Sequence, residues 1–146
     1  MSYTIDANLL LYASNRDCDE HEPARQFIED RGHDPDLLCL AWSTLSAYLR
    51  ISTHPSIFRN PLAPDQAWAN IQALIALPRT RITTEEDDFS DHYQRLAQET
   101  IIRGNLVPDA HLAALMHQHG VRKIYTNDTD FRRFSFLEVI NPFFSV

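Results

Sequence analysis

Short β-favouring runs alternate with stretches of helical periodicity along almost the whole chain, and few architectures satisfy that order. Residues 3–5, 37–40, 79–83, 121–126 and 138–140 read as strands. Between them, residues 6–13 and 20–30 read as helices, the second stopping at Gly32. Another runs from a cap at Ser43 to about Ser52, and Pro55 follows it. Residues 64–77 place Ala67, Trp68, Ile71, Leu74 and Ile75 on one stripe. The next helix carries Phe89, Tyr93, Leu96, Ala97 and Ile101 and ends at Gly104, and the last runs from Pro108 to Gly120. The expected fold is a single α/β domain spanning residues 1–146, with a mostly parallel central sheet flanked by helices.

A chain of 146 residues with 44% hydrophobic content can bury one ordinary core. Cys18 and Cys39 form neither a metal spacing nor a disulfide framework, so a reducing cytoplasm is expected. The first residues lack the basic and apolar regions of a secretory signal, and no stretch reaches membrane-spanning length. A net charge of −7 argues against a broad non-specific nucleic-acid surface. It does not exclude a nuclease, whose metal cluster is itself acidic. The basic residues are twelve arginines and Lys123. Arginine suits bidentate phosphate contacts, and a GC-rich genome enriches it equally well. Arg50, Arg132 and Arg133 are candidates for phosphate contacts or for surface ion pairs.

The acids carry the chemistry. Asp6 follows the first strand, Asp109 opens an alanine-rich helix, and Asp128 and Asp130 follow the strand ending near Thr126. A parallel sheet gathers the ends of separate strands at one edge. Carboxylates gathered there repel one another unless a cation joins them. The pattern therefore predicts an oxygen-liganded divalent ion, Mg²⁺ with Mn²⁺ as a substitute. Each acid taken singly also has a structural explanation. Asp6 suits a helix start (with Asn8 as another cap candidate), Asp109 suits a first helical turn, and Asn127-Asp128-Thr129-Asp130 is turn-prone. The run Glu85-Glu86-Asp87 reads as helix-start chemistry, with Thr84 and Asp87 forming a capping box. His117 and His119, two residues apart, point to different sides of a helix and make a poor zinc pair; they are expected exposed at its end. Trp42 and Trp68 are expected in the core or a subunit interface.

Four segments together resemble the PIN-domain ribonucleases, in particular the VapC-like toxins of bacterial toxin–antitoxin pairs. They are Ile5-Asp6-Ala7-Asn8-Leu9-Leu10-Leu11-Tyr12-Ala13, Leu49-Arg50-Ile51-Ser52-Thr53-His54-Pro55, Gly104-Asn105-Leu106-Val107-Pro108-Asp109-Ala110-His111 and Tyr125-Thr126-Asn127-Asp128-Thr129-Asp130-Phe131, with Asn141-Pro142 as the ending. The resemblance implies that Asp6, Asp109 and Asp128 are catalytic metal-binding acids and that Asp130 is a further, outer one. It implies that Asn8, Thr126 and Asn127 hold these carboxylates by hydrogen bonds. The implied activity is Mg²⁺-dependent endoribonuclease, on tRNA or another structured RNA, by a homodimer silenced by a cognate VapB-like antitoxin. One departure stands out. The family commonly has a glutamate three residues before the middle-helix arginine, and here that position is Ala47. The alternative is therefore a catalytically weakened PIN-fold module that works through protein contacts. A different Mg²⁺ enzyme, such as an aspartyl-phosphate receiver, is disfavoured because Lys123 precedes the last acidic motif.

Overall fold

A computed structural model describes residues 1–143; Phe144, Ser145 and Val146 of the expected domain lie outside the described residues. Within it the chain runs β1 (Ser2–Ile5), α1 (Ala7–Ser14), α2 (His21–Asp30), β2 (Leu37–Ala41), α3 (Trp42–Ser52), α4 (Pro64–Ile75), β3 (Thr80–Thr83), α5 (Phe89–Glu99), α6 (Leu106–Gln118), β4 (Lys123–Tyr125) and β5 (Glu138–Ile140). Short 3₁₀ helices span Arg31–His33 and Thr129–Arg133. The strands form one sheet in the order β3-β2-β1-β4-β5, and every pairing is parallel.

Strand alternation divides the core between the two faces of the sheet. Tyr3, Ile5, Leu38 and Leu40 pack on one face against Leu9 and Leu10 of α1, Leu45 and Tyr48 of α3, and Ala67, Ile71 and Leu74 of α4. Cys39, Ala41 and Ile124 point the other way, onto Leu96 of α5, onto Ala110, Ala113 and Ala114 of α6, and onto Phe131 and Phe134. Thr4 is the polar residue in this layer, and its hydroxyl donates to the Cys39 carbonyl. The chain winds outward from β1 to β2 and β3, then crosses to β4 on the other side. The C-terminal ends of β1 and β4 are therefore the switch point of the sheet, where a crevice opens.

The helix boundaries differ from the sequence reading for identifiable reasons. Asp6, not Asn8, caps α1: its carboxylate accepts from the Ala7 N–H. Ser43 lies inside α3, which starts directly at the end of β2 with no side-chain cap. The expected Thr84–Asp87 box does not form. Glu85 instead bonds His111, Asp88 bonds Gln118 and His92, and the Thr84 carbonyl meets His119, so the acidic run is tied to α6. α5 stops at Glu99 because Thr100 turns extended and its hydroxyl donates to the Arg133 carbonyl. α6 begins at Leu106, two residues before Pro108, whose missing N–H belongs to a first turn that needs none. Its other end is a Schellman stop. Gly120 takes φ 69°, and Val121 N–H donates back to the Met116 carbonyl at 2.9 Å. That bond commits Val121 to the helix terminus, so β4 is shorter than the run 121–126.

Two further expectations change. His117 is half-buried, with its Nδ1 2.7 Å from that of His92 and its ring edge-on to Phe136. Burial, followed by the charge of His92, pushes its pKa down. Trp42 and Trp68 are 47% and 43% exposed, so neither belongs to the core. No helix among the described residues is long and apolar enough to cross a membrane.

Candidate metal centre

Each acid is delivered to the switch point by a different element. Asp6 is the residue after β1, and its backbone N–H donates to the Tyr125 carbonyl at 3.0 Å, fastening it to the end of β4. Each of its carboxylate oxygens accepts one hydrogen bond, Oδ1 from Ala7 N–H at 2.8 Å and Oδ2 from the Thr126 hydroxyl at 2.8 Å, and keeps a further lone pair. Asp109 arrives in the first turn of α6, where the positive end of the helix favours an acid. Asp128 caps the 3₁₀ helix after β4, its Oδ1 accepting from Asp130 N–H at 2.8 Å.

Asp109, Asp128 and Asp130 each offer a carboxylate oxygen, all within 4.8 Å of one another. Asp130, expected as an outer acid, thus stands in the tight group, and Asp6 stands beside it within electrostatic reach of Asp109 and Asp128. Among the described residues, no arginine, lysine or histidine forms an ion pair with any of these acids. The electrostatic consequence falls on Asp109. Burial first, then the charges of Asp6, Asp128 and Asp130, push its carboxyl up to about 7. Asp6 is also raised, by burial above all, against the opposing pull of the Thr126 and Ala7 hydrogen bonds.

Thr126 is the hub that joins the strand ends. Its side chain is buried, with 1% of the residue exposed. The hydroxyl donates to Asp6, accepts from Asp128 N–H at 2.9 Å, and lies 3.3 Å from the Asn8 amide nitrogen. Of the three residues expected to hold carboxylates, Thr126 does so directly. Among the described residues, the Asn8 side chain bonds Thr126 alone and Asn127 touches no carboxylate; the Asn127 amide donates to the Tyr12 hydroxyl and accepts from Asn141 at 2.6 Å. Tyr12 and Asn141 lie in the segments that carry the resemblance, but their part in holding Asn127 is seen only in these hydrogen bonds.

The donor set fits a hard divalent cation. Every candidate ligand is an oxygen, the carboxylates repel one another without a countercharge, and Asn8 Oδ1 is buried beside Thr126 with no partner. Asp109, Asp128 and Asp130 would hold the ion, and Ser43 and Ser46 on α3 are solvent-exposed neighbours of Ala47 with no acid among them. A concavity lies elsewhere on the molecule. A groove of about 470 Å³, lined by Leu10, Ile28, Tyr48, Ile71 and Leu74, separates α1 and α2 from α4. None of its lining residues belongs to the acid group; Asp6, Asp109 and Asp128 are half-buried at the strand ends and Asp130 is exposed.

Comparison with known proteins gives consistent matches. The family model described as PIN domain matches residues 3–137. Ribonuclease VapC48 of Mycobacterium tuberculosis is 40% identical over 143 residues, covering 98% of this chain and 99% of that protein. The crystal structure of VapBC2 from Rickettsia felis, bound to a DNA fragment from its promoter, superposes with a TM-score of 0.67 at 18% identity, over 97% of this chain and 98% of that one. Mycobacterium tuberculosis VapC20, a sarcin-ricin loop cleaving toxin, gives 0.62 at 18% identity over 89% and 92%.

Proposed function

Because the chain belongs to the PIN-domain family, among its VapC-like members, we propose that it is a metal-dependent endoribonuclease and the toxin of a toxin–antitoxin pair. The observation that carries this reading is the convergence of Asp109, Asp128 and Asp130 within 4.8 Å at the switch point of a parallel sheet. The full-length likeness to a relative named as a ribonuclease supports RNA as the substrate. Likeness to VapBC complexes supports a VapB-like antitoxin that covers the acidic edge. A homodimer is part of the proposal, and the exposed Trp42 and Trp68 are its candidate contacts. A structured RNA such as tRNA is the proposed target, and the cytoplasm the proposed site of action.

A bound Mg²⁺ supplies neutralisation of a phosphate oxygen and a lowered pKa for a coordinated water. The chain's own residues do the rest. Asp109, Asp128 and Asp130 provide the oxygen donors, and Thr126 fixes the backbone of Asp128 and the carboxylate of Asp6. Asp6, which stands outside the three-acid group and whose affinity for protons burial raises, is the candidate to take the proton of the attacking water.

Ala47 motivates the rival reading, a PIN fold that has lost catalysis and retains only protein contacts. Against it, three acids already converge without any contribution from α3. Incubating purified protein with RNA, with and without Mn²⁺, beside an Asp109→Asn variant decides between them. The proposed enzyme cleaves only with metal, and the variant retains its fold and loses activity by about two orders of magnitude or more. Equal cleavage by the variant removes the mechanism. No cleavage and no metal-dependent change in melting temperature in the parent favours the binding module.

A further inference from the structure

We infer that Arg132 and Arg133, with Arg103 beside them, form a phosphate-anchoring rim that seats the RNA backbone against the acidic cluster; this rests on the ribonuclease reading. In the 3₁₀ helix Thr129–Arg133, residues three apart lie on the same edge. Phe131 inside the helix and Phe134 just after it are 0% and 2% exposed, and they pin the segment into the core on both sides of Arg132 and Arg133. Asp130 and Arg133 are three apart. Asp130 contributes an oxygen to the carboxylate group, so Arg133 stands one turn, about 6 Å, further along the edge that faces it. Thr129 and Arg132 make the remaining, outer edge. Two arginines are thus forced outward next to the acids by the burial of two phenylalanines.

Arg103 joins them through a tertiary bond. The Thr100 hydroxyl donates to the Arg133 carbonyl at 2.9 Å, holding the loop between α5 and α6 on the 3₁₀ helix. Arg103 lies in that loop, a few residues before Asp109 on α6. All three arginines are exposed, and among the described residues their guanidinium groups make no ion pair or hydrogen bond. Arg25 and Arg31, in contrast, are taken by Glu22, Glu29 and Asp34. Unpaired arginines such as Arg16 and Arg59 also occur away from the acids, so placement, not pairing alone, singles out this set.

The chemistry needs such a rim. A chain of net charge −7 that presents clustered carboxylates repels a polyanion. Guanidinium groups match phosphate oxygens in bidentate fashion and carry no sequence information, so they hold the backbone in register while other contacts choose the site. They are positioning residues: they touch phosphates flanking the scissile bond, not the reacting atoms.

The test uses the full-length protein with a 5′-labelled structured RNA in Mn²⁺ buffer. Arg132→Ala/Arg133→Ala, alone and with Arg103→Ala, is compared with parent and with Arg16→Ala/Arg59→Ala. The double variant should raise KM about tenfold while kcat stays within about twofold. Equilibrium RNA binding, measured in an Asp109→Asn background so that the RNA stays intact, should lose about one to two units of slope in log Kd against log salt. Melting temperature should be unchanged, Mn²⁺ binding should be no weaker than in the parent because two neighbouring positive charges are gone, and the Arg16/Arg59 control should match the parent. Unchanged KM and salt slope in a parent that cleaves overturn the rim and leave the ribonuclease reading standing. Binding that follows the arginines in a parent that does not cleave sustains the rim and overturns the ribonuclease reading. Absence of RNA binding by the parent overturns the rim.

Discussion

Asp109 shows how one residue can work against the fold that positions it. Its carboxyl has a folded value of about 7 against an ordinary 3.8, because burial and three neighbouring acids disfavour its charge. Between those values the folded chain holds a proton that the unfolded chain has released. Stability from this group is therefore present at low pH and is lost as pH rises through that window. In chelator at about pH 8, Asp109→Asn should be more stable than the parent by about 1–2 kcal/mol, after a strong discount for solvent screening of a partly exposed group. That corresponds to a rise of about 2–8 °C in melting temperature. The gain should vanish near pH 4. A variant that melts lower than the parent at about pH 8 would show that the carboxylate is not under the repulsion described.

At the scale of elements, the site exists because β1 and β4 are neighbours and end together. Thr126 is the joint: one buried hydroxyl binds the end of β1 through Asp6 and the start of the 3₁₀ helix through Asp128. Thr126→Val keeps the shape and removes those bonds. It should cost about 1–3 kcal/mol, with melting temperature falling by about 2–12 °C. Mn²⁺ affinity should fall about 10–100-fold, because the partners that aim the ligands are gone. Loss of stability with undiminished Mn²⁺ binding would make Thr126 a core residue only. The element order and parallel sheet were legible because period-2 and period-3.6 runs alternate cleanly. The termini were not, because each was decided by a distant partner. Thr100 leaves α5 for the Arg133 carbonyl, Val121 is drawn into the α6 stop, and Thr84, Glu85 and Asp88 turn to α6 instead of capping α5.

Seen as a whole, the molecule separates structure from chemistry. Two apolar layers cover the sheet, and the acids gather at its C-terminal edge. The candidate acids could be named from the sequence because each follows a strand-like run or opens a helix. The place of Asp130 was less legible: a 3₁₀ helix, invisible to periodicity, brings it to Asp109 and Asp128, while Asp6 stands beside them with its oxygens accepting from the Ala7 N–H and the Thr126 hydroxyl. The exposed Trp42 and Trp68 follow the same pattern: helical stripes marked them as apolar, and only the packing of the whole leaves them at the surface.

Calorimetric titration of Mn²⁺ into the parent and into Asp109→Asn at about pH 7.5 tests the convergence of these acids most directly. The account expects saturable binding by the parent, weakened at least about tenfold in the variant, with both proteins folded. Equal binding by the two, or none by the folded parent, would contradict it.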